Sequence, residues 1–152
     1  MTEVRVTTAR GFTEGVPHNK ALGMRVVELV RTDVAGERGR AVFELPYDAK
    51  LVGNPDTGVL HGGAITALLD GCSGAAVFAA LVDWVPIATI DLRIDYLRAA
   101  EAHRTVTARA ICYKLTRHVA FTRAIAFHDD DRDPIASSAG TFMLQTKPGG
   151  RK

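Results

Sequence analysis

The chain has 152 residues, 47% of them hydrophobic and 24% charged, with a formal net charge of +2. That is the composition of one soluble globular domain with a real core, and it excludes a disordered chain or a strongly basic, nucleic-acid-binding one, since the basic residues are scattered and not blocked. Cys72 and Cys112 both fall in apolar runs, which predicts reduced, buried thiols in a cytoplasmic protein and neither a disulfide framework nor a metal site.

Residues 1–16 show no periodicity and are expected to form a mobile arm; the opening "MTEVRVTTARGF" lacks the apolar core of a signal peptide. "PHNKALG" (17–23) reads as a short helical turn closed by Gly23. "MRVVELVRTD" (24–33) and "GRAVFELPYD" (39–48) are rich in β-branched and apolar residues around the turn "VAGERG", which predicts a hairpin. "AKLVGNPDTG" (49–58) is loop-like. An apolar helix is expected over about 60–81, ended near "VDWVP". Four strand-like runs follow, at 86–98, 103–115, 117–128 and 134–145. Their short connections make them mostly antiparallel neighbours, and residues 147–152 form a disordered tail. In the first run Ala88, Ile90, Leu92, Ile94 and Tyr96 alternate with Thr89, Asp91, Arg93 and Asp95, which places the two sets on opposite faces. The result is one domain over 17–146, of α+β class. Its single long helix is more apolar than one buried face requires, so a curled antiparallel sheet covers it and a partner chain covers more.

The run from Val59 to Val82 is long enough to cross a bilayer, but four glycines, a histidine and an aspartate make it a poor lipid-facing surface. It reads as the buried helix of a soluble protein with no membrane role. His61 and Asp70 are its only side chains able to carry charge. An ionised carboxylate among apolar groups needs partners, so Asp70 is either a structural acid satisfied by Thr66, Ser73 or nearby backbone, or a reactive one.

"HGG" (61–63) opens this helix. The first N–H groups of a helix lack internal partners and lie at its positive end, and glycines let a ligand oxygen approach them. That is the anatomy of an oxyanion site, although Gly-Gly also serves tight turns. His61 alone reads as a cap or a packed ring, and Asn54, beside Pro55, as a turn former. His61 has no second His or Cys at metal-ligand spacing. Asp70 lies nine residues after His61, on the opposite side of the helix and about 13 Å along it. One small reacting group therefore cannot touch both within one chain: either Asp70 is unconnected with the glycine donors, or a second copy completes the site, as a two-fold dimer allows.

The combination "GNPDTGVLHGGAITALLDGCSG" followed by "PIATIDLRIDYLRAA" resembles the hot-dog-fold thioesterases, in particular the PaaI-type acyl-CoA thioesterases of phenylacetate degradation. The resemblance runs from about Ala21 to Leu144. It implies a long central helix wrapped by a curved antiparallel sheet, subunits paired edge to edge, and a homodimer or a dimer-of-dimers tetramer. It implies an acyl-CoA substrate and no separate cofactor, since coenzyme A arrives as part of the substrate. Carried over by position, the Gly62 N–H polarises the thioester carbonyl and Asp70, from the partner subunit, acts as nucleophile or general base. Asn54 positions water or the carbonyl, His61 supports the carbonyl site, and Thr89 orients water.

Arg98, Arg117 and His118, near strand ends, are candidates for the coenzyme A phosphates, with solvated surface charge as the other reading. Leu60, Leu69, Val77 and Phe78 are candidates for the acyl pocket wall or for plain core. Asn54, Thr66 or Ser73 is expected to donate a hydrogen bond to Asp70. Two other functions use this fold: an acyl-CoA-binding protein without catalysis, which needs no mid-helix acid, and a hydratase or dehydratase, whose motifs do not usually show this His-Gly-Gly to Asp spacing.

Overall fold

The computed structural model describes residues 11–145 apart from Phe12 and Asp33. The expected tail at 147–152 and most of the expected arm at 1–16 lie outside the described residues, but Thr13 and Val16 of that arm are described and pack on the domain.

Among the described residues there are eight strands and one long helix. The strands are β1 (Arg25–Arg31), β2 (Gly39–Leu45), β3 (Val52–Asn54), β4 (Val59–Leu60), β5 (Ile87–Tyr96), β6 (Val106–Leu115), β7 (Val119–Phe127) and β8 (Ala136–Leu144). A short helix, Pro17–Leu22, precedes β1, and the long helix, Gly62–Ala80, follows β4. Six strands form one antiparallel sheet in the order β1-β2-β6-β7-β8-β5, while β3 and β4 make a small separate ladder. This is the hot-dog arrangement. Leu60, the expected start of the helix, instead forms β4 with Val59, tied by Leu60 N–H to the Ala100 carbonyl and by His61 N–H to the Leu51 carbonyl. The late strands are all antiparallel as expected, with one difference: β5 pairs with β8, not with its sequence neighbour β6, so the segment after Tyr96 crosses the sheet. β1 and β5 are the two open edges.

Nineteen residues with hardly a polar side chain do not make a stable helix in water; packing supplies the stability. The sheet meets the helix through small residues on both sides. Ala41, Ala108, Ala110, Ala120 and Ala126 are fully buried on the strands, opposite Leu68, Leu69, Cys72, Ala76 and Val77 of the helix. The approach is closest at Gly39, where a Cβ would stand 2.6 Å from the Ala80 nitrogen and also strike the Ala76 carbonyl. Although the helix is long and apolar enough to cross a membrane, most of it lies inside this wrap.

The clean alternation expected of β5 is broken. Thr89 stands opposite Phe142 and Asp91 opposite Thr141, so Ile90 is an extra residue, a β-bulge. Ile87 and Thr89 on one side of it, and Leu92, Ile94 and Tyr96 on the other, all face the helix, while Ile90 is 57% exposed. Thr89 therefore does not share a face with Arg93 and Asp95.

Candidate active site

His61 ends β4 with extended backbone (φ −64°, ψ 136°) and caps the helix: its Nδ1 accepts the Gly63 N–H at 2.8 Å. The Ala64 N–H bonds the His61 carbonyl at 3.0 Å. Of the two glycine donors expected here, Gly63 is thus occupied by the cap. Among the described residues the Gly62 N–H has no acceptor, and it remains the donor able to meet a carbonyl oxygen. The Gly62 carbonyl is held firmly: the Tyr96 hydroxyl donates to it at 2.8 Å and lies 2.6 Å from Thr66 Oγ1, which also donates to that carbonyl at 3.1 Å. Tyr96 is a site residue that sequence reasoning missed. Its only signal there was an apolar position on a strand.

Asp70 is partly buried and opens into a cavity of about 310 Å³ between the long helix, the segment Thr13–Asn19, the start of β5 and Phe142 of β8. The Thr89 hydroxyl donates to Asp70 Oδ1 at 2.9 Å. The bulge at Ile90 is what turns Thr89 inward to do so. The donors expected for Asp70 are engaged elsewhere or out of contact. Thr66 bonds Gly62 and Tyr96, and Ser73 Oγ is fully buried with no partner among the described residues. Asn54 Oδ1 accepts the Asp56 N–H at 3.0 Å and its carbonyl accepts from Thr57 and Gly58, which is the turn-forming role. His18 and Asn19 also line the cavity, with the Asn19 amide donating to the Thr13 carbonyl at 3.1 Å. Sequence reasoning passed over both, because "PHNKALG" carries only a helix-turn signal.

Of the expected wall residues, Phe78 lines the cavity, while Leu60, Leu69 and Val77 are buried in the core. Arg98 is paired with Glu101 and Asp133 at the end of the sheet near Tyr96. Arg117 and His118 are exposed in the β6–β7 turn, next to the strand end where Leu144 meets Ile87. Burial pushes both thiols up, that of Cys112 to about 11, so neither is a nucleophile at neutral pH.

Gly62 and Asp70 both abut β5 but stand eight residues apart, about 12 Å along the helix. The family model described as "Thioesterase superfamily" matches residues 57–135, the span from the turn before His61 to the start of β8. The chain belongs to the thioesterase superfamily. It is 32% identical over 146 residues to the medium/long-chain acyl-CoA thioesterase YigI of Salmonella typhimurium, with 88% of each chain covered. Among solved structures, a Pseudomonas aeruginosa protein is 40% identical with TM-score 0.75, covering 91% of this chain and 97% of that one. A mutant of the phenylacetic acid degradation protein PaaI from Thermus thermophilus is 28% identical with TM-score 0.68, covering 84% and 97%.

Proposed function

We propose that this protein is a cytoplasmic acyl-CoA thioesterase whose active site is shared between two copies of the chain paired through β5. One observation carries the reading: the Thr89-bound Asp70 and the Gly62 N–H, which has no acceptor among the described residues, both lie against the same open edge strand, too far apart to serve one carbonyl. Antiparallel pairing of β5 with its copy, about an axis through Arg93 with the bulged Ile90 and Asp91 counted as one position, sets Thr89 of one chain across from Tyr96 of the other and keeps both on the helix face. Each Asp70 then faces the other chain's Gly62, and a two-fold dimer holds two equivalent sites.

In such a site the Gly62 N–H, at the positive end of the helix, stabilises the oxyanion that forms on the thioester carbonyl. Asp70 either attacks the carbonyl carbon, expelling the coenzyme A thiolate and leaving an anhydride that water cleaves, or takes a proton from the attacking water. Turnover in ¹⁸O-water separates the two routes, since only the first puts the label into Asp70 on repeated cycles. Thr89 orients the carboxylate, and His61 acts on the donor through its cap. Arg98 of one chain and Arg117 and His118 of the other flank the shared seam and would meet the phosphates. Two such dimers stacking would make the tetramer.

The test is thiol release over a panel of acyl-CoAs, followed by subunit mixing. Gly62→Pro deletes only the donor: proline is favoured at the first helical position, and the extended backbone of His61 suits a residue before proline. Asp70→Ala deletes the acid. Each variant alone should be inactive. Mixed and re-annealed, they form heterodimers with one intact site, and about a quarter of wild-type activity should return. No recovery, with heterodimers demonstrated, refutes the shared site. Acyl-CoA binding without turnover by the wild type would instead support the non-catalytic reading.

A further inference from the structure

The long helix carries two glycines well inside it, Gly71 and Gly74, and glycine is among the poorest helix formers. Two other glycines are explained by what a side chain would strike, Gly39 by the helix backbone and Gly53 by His61. No such collision explains these two. A Cβ on Gly71 would come no nearer than 3.6 Å to Asn19 and 3.9 Å to Met24, and one on Gly74 would meet Phe142 and Ile87 at 3.6 and 3.7 Å, all ordinary contacts. Neither has positive φ. What the missing side chains leave open is the cavity itself. Ala67, Gly71, Gly74 and Ala75 line it along the helix, with Asp70 between Ala67 and Gly71 and Phe78 the lining residue nearest the helix C-terminus. Phe78 is backed by Trp84, stacked on it at 5.1 Å with the rings 3° from parallel.

We propose that Gly71 and Gly74 are specificity-determining residues, kept side-chain-free so that an unbranched acyl tail can lie along the helix from Asp70 to a stop at Phe78. This rests on the thioesterase reading of the same site. Eight residues of helix span about 12 Å. An extended chain advances about 1.3 Å per carbon, so the slot takes about nine carbons. The preferred acyl class is therefore medium-chain and linear. Gly74 lies under the middle of the tail and Gly71 under its first carbons, beside the carbonyl.

The decisive measurement pairs stability with a chain-length profile. Gly74→Ala should raise the melting temperature by about 2–4 °C, because alanine fits and favours helix. It should also lower the ratio of kcat/KM for octanoyl-CoA over butyryl-CoA by about tenfold, the size of effect one methyl group has in an apolar pocket. Gly71→Ala should raise KM across the panel. Phe78→Ala should move the optimum toward dodecanoyl-CoA; Phe78→Leu, a milder change, should move it the same way if the alanine variant folds poorly. A Gly74→Ala protein that melts several degrees lower would show that packing demands the glycine, and an unchanged octanoyl-to-butyryl ratio would show that no tail passes it; either result overturns the proposal. If the wild type hydrolyses no acyl-CoA, the thioesterase reading falls separately. The slot is then decided by calorimetry with octyl-CoA and butyl-CoA thioethers, where Gly74→Ala must shift the affinity ratio by the same factor, and an unshifted ratio overturns it.

Discussion

Removing one oxygen, with Tyr96→Phe, tests how the proposed oxyanion donor, the Gly62 N–H, is held. The hydroxyl makes two short contacts, to the Gly62 carbonyl and to Thr66 Oγ1, and both partners sit near the start of the long helix. A neutral hydrogen bond contributes about 0.5–1.5 kcal/mol net. Thr66 keeps its own bond to Gly62, so part of the hold on that carbonyl survives. The expected cost is therefore about 1 kcal/mol, close to a 2–4 °C fall in melting temperature for a chain of this size. The same amount lost from placement of the Gly62 N–H would slow turnover about fivefold. Thermal melts and kcat measurements on Tyr96→Phe, Thr66→Ala and the double variant close a cycle, and the two sites should couple by about 1 kcal/mol. Strict additivity in both stability and rate would show that the hydroxyl braces nothing, and that the helix start is held by His61 and β4 alone.

Gly39→Ala should cost about 2 kcal/mol or more in denaturant unfolding, since a strand and a helix backbone must separate to admit one carbon. Asp70→Asn should lower kcat by about a hundredfold or more while leaving the far-ultraviolet spectrum unchanged, as expected of an acid-base or nucleophilic group. Thr89→Val should reduce kcat/KM several-fold, with Thr89→Ser restoring most of it, because only the hydroxyl reaches Asp70. The folded state holds the Cys112 proton more tightly than the ordinary value of 9.0, so its contribution to stability is intact below pH 9.0 and is lost as pH rises toward about 11. Melting curves across that window should fall less steeply in Cys112→Ala than in the wild type.

The parts of this structure legible in the sequence are those written in short-range pattern. The central helix and its neighbouring strands follow from periodicity within one element, while His61, Gly62 and Asp70 are joined into one candidate site by the family resemblance of their spacing. What escaped depends on distant partners. β5 finds β8 and not β6, and nothing within residues 86–98 specifies that choice. The bulge at Ile90 becomes visible only against the register of Phe142 and Thr141. Tyr96 reaches Gly62 from thirty-four positions away along the chain, so its hydroxyl carries no local sign of its task. The donors sought for Asp70 were Asn54 and its helix neighbours Thr66 and Ser73, whereas the one that reaches it within the chain comes from strand β5.

Ile90 behaves as a spacer slipped into β5. Take it away and the remaining residues run as an unbroken ladder in which Thr89 still points inward two places from Leu92, so both hydroxyls keep their partners on the helix. What disappears is the local kink that a bulge imposes. A one-residue gap at this point is thus silent for the chemistry, whereas the same deletion anywhere between Leu92 and Ile94 would turn one of the two hydroxyls to solvent. Between Thr89 and Tyr96 the strand can lose a residue without re-aiming either hydroxyl only at the bulge, where Ile90 points away from the helix.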